Sequence, residues 1–168
     1  MKAAHIVSKE KHGLLDVFGP TLQFLTSPDD ASAEYSVMIG TIPPGVSIPL
    51  HSHADEESFY FLSGSAQALT QRGDAFEWID VHAGELFHVP SGAKHAFQNK
   101  WNEPSVQLIT TTPTLGRFFQ EIGKPIVPGA PTAPPTPDEL QRFLQIVAKY
   151  NYWTGSPQEN AAVGIHLF

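Results

Sequence analysis

From the first residues to about Pro113, apolar and polar positions alternate over short runs, and each run is bounded by Gly, Pro, Asp or Asn. A period of two marks strands with one face on a core. The pattern predicts strands at 3–7, 14–18, 22–25, 35–42, 47–53, 58–63, 65–70, 75–81, 86–89, 95–99 and 105–110. Turn-forming clusters at 27–30 (SPDD), 72–74 (RGD) and 102–104 (NEP) separate them. Many short strands with turns at this spacing predict an all-β sandwich or jelly-roll barrel. The RGD triplet stands between two strand runs, where Gly73 suits a hairpin turn better than an adhesion motif.

After Gly116 the period changes. The run 117–122 (RFFQEI) predicts one or two helical turns, stopped by Gly123 and Pro125. The proline-dense stretch 124–137 predicts an extended segment. Thr136, Pro137 and Glu139 then read as N-cap, N1 residue and capping-box partner. Leu140, Phe143, Leu144 and Val147 follow at helical spacing, so a helix is expected over about 137–150. This divides the chain into a β core over 1–115 and an extension over 116–168, whose last part carries no clear pattern. Within 57–62, alternation puts Glu57, Phe59 and Phe61 on one face, and Tyr60 and Leu62 on the other. If Glu57 faces inward, Tyr60 and Leu62 need cover from the C-terminal helix or from a second copy of the chain. A homodimer is the expectation.

Bulk properties narrow the chemistry. The chain has 168 residues, 41% of them hydrophobic and 16% charged, which suits one folded domain. A formal charge of −7, with lysines and arginines scattered singly, argues against a nucleic-acid partner. No cysteine is present, which removes disulfides, thiolate metal sites and cysteine nucleophiles. The opening residues lack the apolar stretch of a signal peptide, and no run is long enough to cross a bilayer, so no membrane association and a cytoplasmic location are expected.

Any metal must therefore be held by imidazole and carboxylate. The segments GVSIPLHSHADEESFYFLSG (45–64) and GELFHVPSGAKHAFQN (84–99) bring the groups for it. His51 and His53 are two apart on one strand face, Glu57 follows a short turn, and His95 would add a further nitrogen. Such a mixed N/O set suits a divalent first-row ion: Fe, Mn, Co, Ni, Cu or Zn. Glu57 is either a ligand or a nearby base. Asp55 and Glu56 are expected in a solvated turn. Phe59, Phe61 and Phe97 read equally as pocket lining or as core, and His88 as a hydrogen-bond partner of the site or an outer-face residue.

The two segments resemble the two motifs of the cupin superfamily at every fixed position. The first is carried by Gly45, His51, His53, Glu57 and Gly64, the second by Gly84, Pro90, Gly92, His95 and Asn99. The flanking strands and late helix are similar, more loosely, to the single-domain quercetin-dioxygenase-like cupins. The resemblance implies a cupin jelly-roll β-barrel, one metal ion per chain and a dioxygenase-like oxidoreductase acting on a small, enolisable or aromatic substrate. Cupin sites also serve lyases, isomerases and hydrolases that use the ion as a Lewis acid, and non-catalytic small-molecule binders.

Overall fold

A computed structural model describes residues 3, 4, 6, 13–27, 29, 30, 32–127 and 134–166. The strands are β1 (Leu14–Asp16), β2 (Thr21–Phe24), β3 (Ser36–Ile42), β4 (Ser47–Ser52), β5 (Glu57–Ser63), β6 (Ser65–Arg72), β7 (Ala75–His82), β8 (Leu86–Val89), β9 (His95–Gln98), β10 (Ser105–Thr111), β11 (Lys124–Pro125) and β12 (Trp153–Thr154). The helices are α1 (Pro113–Ile122), α2 (Pro137–Lys149) and α3 (Pro157–Ala162). The expected strand at 3–7 is absent at Ala3, Ala4 and Ile6; His5 and Val7 lie outside the described residues, as do His12 and 128–133 of the proline-dense stretch.

Ten of the strands and the two short late ones form two antiparallel sheets, one ordered β11-β1-β2-β3-β10-β5-β8 and the other β12-β4-β9-β6-β7. The barrel is thus two facing sheets that share no strand. Between them lie Leu22, Phe24, Met38, Ile42, Phe59, Phe61, Phe97, Val89 and Ile109, all buried. The alternation that predicted these strands also sorts their faces: β3 and β10 bury every second residue. The RGD triplet closes the β6–β7 hairpin, with Arg72 opposite Ala75 and Gly73 at φ 61°.

Gly64 turns the chain from β5 into β6 at φ 68°, and a Cβ there would sit 2.2 Å from the Pro104 carbonyl oxygen. No other residue fits that turn. In the second motif, Gly92 N–H donates to the His53 carbonyl at 2.7 Å, which ties the turn before β9 to the end of β4.

The three helices among the described residues open the same way: Thr112, Thr136 and Ser156 are N-caps, each followed by proline. The capping box expected at Thr136 and Glu139 is formed. Helix α1 starts earlier than expected and runs across the boundary drawn at 115. Its Leu115, Phe118 and Ile122 pack on Ile146 and Val147 of α2. Consequently α2 docks on α1 and Phe18, not over β5, and Tyr60 and Leu62 remain 43% and 47% exposed. Cover from the C-terminal helix was the wrong expectation for them. Leu140 and Leu144 are exposed too, because the docked stripe of α2 runs through Phe143, Ile146 and Val147.

Candidate metal centre

The site is built where the two sheets face each other at one end. His51 on β4 pairs directly with His95 on β9, so both rings rise from one sheet. His53 follows β4, and Glu57 opens β5 on the opposite sheet. One ring nitrogen from each of His51, His53 and His95 lies within 4.8 Å of the other two. Ring centroids are 4.1 Å apart for His51–His95 and 5.1 Å for His53–His95. Glu57 Oε2 stands 3.4 Å from His53 Nε2 and 4.0 Å from His95 Nε2. Thus the structure brings together three histidines, with the carboxylate against two of them.

A local irregularity aims His51. The β4–β9 register slips between Ile48 and His51, placing one extra residue on β4 at Pro49-Leu50. Such a bulge reverses the inside–outside phase of the strand. Ile48 packs on the interior core while Leu50 packs in a separate outer cluster with Leu69, Ala96 and Ile165. Without the extra residue, Leu50 would share the face of Ile48 and His51 would point out. Proline at the bulge removes an N–H the ladder would leave unpaired.

Hydrogen bonds fix all three tautomers. Nδ1–H of His51 donates to Pro49 O at 2.7 Å, that of His53 to Asp55 O at 2.8 Å, and that of His95 to Ala93 O at 3.0 Å. A carbonyl only accepts, so each Nδ1 carries a proton, and in the neutral ring Nε2 is the nitrogen left with a lone pair. His53 Nε2, His95 Nε2 and Glu57 Oε1 are buried with no hydrogen-bond partner. Leaving such atoms unpaired costs about 1–3 kcal/mol each. A divalent cation among the three histidines would give the Nε2 atoms the partner they lack, and neutral imidazole with carboxylate is the donor set first-row ions take. The residues present fit a bound metal.

The electrostatics agree. Burial pushes His51 down to about 4, despite its bond to Pro49, and burial followed by the neighbouring His51 pushes His95 well below the usual imidazole value. Both stay neutral, as ligands must. Burial works to lower His53 as well, but Glu57 beside it prevails and the net shift is upward. Burial likewise raises Glu57, with His53 opposing.

The remaining expected site residues fall elsewhere. Phe59 and Phe97 pack against each other with centroids 4.6 Å apart, and Phe97 lies 6.2 Å from the His95 ring. Phe61 is deep in the core. His88 is exposed on the outer face of β8, at 3.0 Å from the Ser58 hydroxyl, and does not reach the cluster. Glu56 is exposed as expected, but Asp55 is buried. Its carboxylate accepts hydrogen bonds from Thr112 Oγ1 and Tyr152 O–H, and the Tyr152 ring lies 5.5 Å from His53. The solvated turn expected for Asp55 is not found, because its partners come from α1 and the late extension, which local pattern does not place beside it. A groove of about 380 Å³ lies away from the centre, on the outer face of the five-stranded sheet among Leu69, Phe76, Trp78, Lys94 and Val163.

No curated protein sequence matches the chain. Among solved structures it is similar to an oxalate decarboxylase variant of Bacillus subtilis, with TM-score 0.57 and 22% identity over 67% of this chain and 30% of that one. It thus spans less than a third of the decarboxylase, whose Mn(II) centres have been characterised. A Klebsiella pneumoniae conserved protein with a double-stranded β-helix domain gives TM-score 0.52 and 19% identity over 66% and 91% of the two chains. A cupin domain of Schizosaccharomyces pombe gives 0.51 and 17% over 67% and 77%. Residues 38–111, which include His51, His53, Glu57 and His95, match the cupin domain family, and the fold around them is the all-β cupin fold.

Proposed function

We propose that the protein is a metal-dependent enzyme whose ion is held by His51, His53 and His95, with Glu57 as a further ligand or as the base beside it, and that it acts as an oxidoreductase of dioxygenase type on a small substrate. The observation that carries this reading is the set of buried, unpartnered Nε2 and carboxylate atoms converging from both sheets. A bound divalent ion would supply Lewis acidity toward a substrate oxygen and a place for dioxygen. The chain supplies the rest. The carbonyls of Pro49, Asp55 and Ala93 orient the imidazoles, the Phe59–Phe97 pair packs an apolar wall beside His95, and Glu57, raised by burial, can take or hold a proton at its carboxylate.

A second reading is a lyase using the same ion without oxygen. Two observations favour it: the likeness to an oxalate decarboxylase, and the tight packing of Phe59 and Phe97 beside His95, which suits a small chelating acid better than a large aromatic. Loading the purified chain with Fe(II), Mn(II), Ni(II) or Cu(II) and screening enolisable and dicarboxylic compounds, with and without air, separates the two. Oxygen uptake matched to substrate loss supports the dioxygenase. Turnover under strict anaerobiosis supports the lyase, and tight ligand retention with no turnover supports a binding module.

We also propose a homodimer. On the outer face of the seven-stranded sheet, Ile39, Leu108, Tyr60 and Leu86 stand side by side in register. Light scattering at micromolar concentration should give twice the chain mass, and a Tyr60→Lys, Leu86→Lys variant should give the monomer. A monomeric wild type contradicts this.

A further inference from the structure

The strand that carries His51 is not held by its own sheet alone. At the β4 bulge Leu50 drops out of the ladder to β9, and both its backbone groups are taken up by the C-terminal segment. Leu50 N–H donates to Asn160 Oδ1 at 2.8 Å, and Gly155 N–H donates to Leu50 O at 2.7 Å. Asn160 is wholly buried, and its amide donates onward to Gly155 O and Ser156 O. Next to these ties, β12 pairs with His51 and Ser52. The bulge that turns His51 inward is therefore completed by residues far away in the chain.

A second tie reaches His53. The carbonyl that fixes its Nδ1–H belongs to Asp55, and the buried Asp55 carboxylate is clasped by Thr112 at the N-terminus of α1 and by Tyr152 just before β12. The Tyr152 hydroxyl donates to Asp55 instead of facing the metal cluster, and its ring flanks His53. A buried carboxylate with both oxygens engaged holds its own backbone, and hence its carbonyl, in one place. Partners of this kind set the orientation of metal-binding imidazoles, and their loss typically weakens metal affinity 10- to 100-fold.

We propose that the late extension braces the metal centre through Tyr152, which, acting through Asp55, is a positioning residue for His53. This rests on the metal reading given above. A tail that merely packs would add stability without setting ring orientation, and that difference can be measured.

The test titrates Co(II) into the metal-free whole chain, following its visible bands, and records the histidine ring ¹H–¹⁵N resonances before metal is added. Tyr152→Phe keeps the ring and deletes one hydroxyl. It should raise the Co(II) Kd about tenfold or more, displace the visible bands and move the His53 resonances. Asp55→Asn should do the same. Tyr150→Phe removes the neighbouring hydroxyl, which donates to Glu121, and should leave all three readouts at wild-type values. Wild-type Kd, spectrum and His53 resonances in both Tyr152→Phe and Asp55→Asn would overturn the brace while leaving the metal reading intact. If the wild type takes up no Co(II), the metal reading fails, and the His53 resonances alone then decide whether the brace exists.

Discussion

Each imidazole of the cluster carries out two tasks with its two nitrogens. Nδ1–H is spent on a nearby carbonyl, which leaves Nε2 free to act as an acceptor, and for His53 and His95 that atom is buried with no donor to meet it. Burial also keeps the proton off His51 and His95. The thermodynamic consequence has a definite sign. Between about pH 6.5 and 4 the unfolded chain protonates His51 and the folded, metal-free chain does not, so His51 makes stability fall as pH drops through that window. His53, shifted the other way, contributes stability below its unfolded value and offsets part of this. The clean comparison is His51→Gln against wild type, both metal-free, by urea unfolding at pH 7 and pH 4. The variant should lose about 2 kcal/mol less on acidification than the wild type, the partial exposure of His51 trimming the full linkage value. Equal losses would mean that His51 titrates as a solvated histidine.

At the scale of elements, the strands of the core were legible from alternation, and the helix at Thr136 from its cap, because both signals are local. The bulge in β4 was not, since Ser47 to His53 reads as an unbroken strand. Only the late partners Asn160 and Gly155 make the extra residue affordable. The start of α1 and the existence of α3 were legible in principle. Thr112-Pro113 and Ser156-Pro157 repeat the Thr136-Pro137 signal, and Glu159 completes a second capping box. Asp55 and Tyr152 were beyond reach, as nothing local links the first motif to the extension. Position 64 lets one turn of the fold be tested by itself. Gly64→Ala meets both a left-handed φ and the Pro104 carbonyl, so it should cost at least about 2 kcal/mol in urea unfolding. Gly84→Ala, at φ 89° with open space around it, should cost about 1 kcal/mol. Equal costs would show that the contact with Pro104 is relieved at no expense.

For the whole molecule, the two sheets divide the labour. The five-stranded sheet supplies His51 and His95, the seven-stranded sheet supplies Glu57, and His53 closes the gap from the turn between them. The carboxylate therefore meets the histidines only when both sheets are assembled face to face, and the extension after Gly116 reaches the same end through Tyr152, which touches His53 and Asp55. The histidine triad and the cupin architecture were legible in the paired motifs; the closeness of the extension to the centre was not, because it depends on tertiary contacts alone. No described helix is long and apolar enough to cross a membrane. The most direct test of the account is the metal content of the chain after incubation with Fe, Mn, Co, Ni, Cu and Zn salts and gel filtration, measured beside His95→Ala. One divalent first-row ion per wild-type chain, lost in the variant, is the predicted result. A wild type that emerges free of metal, or a variant that retains the same amount, would contradict it.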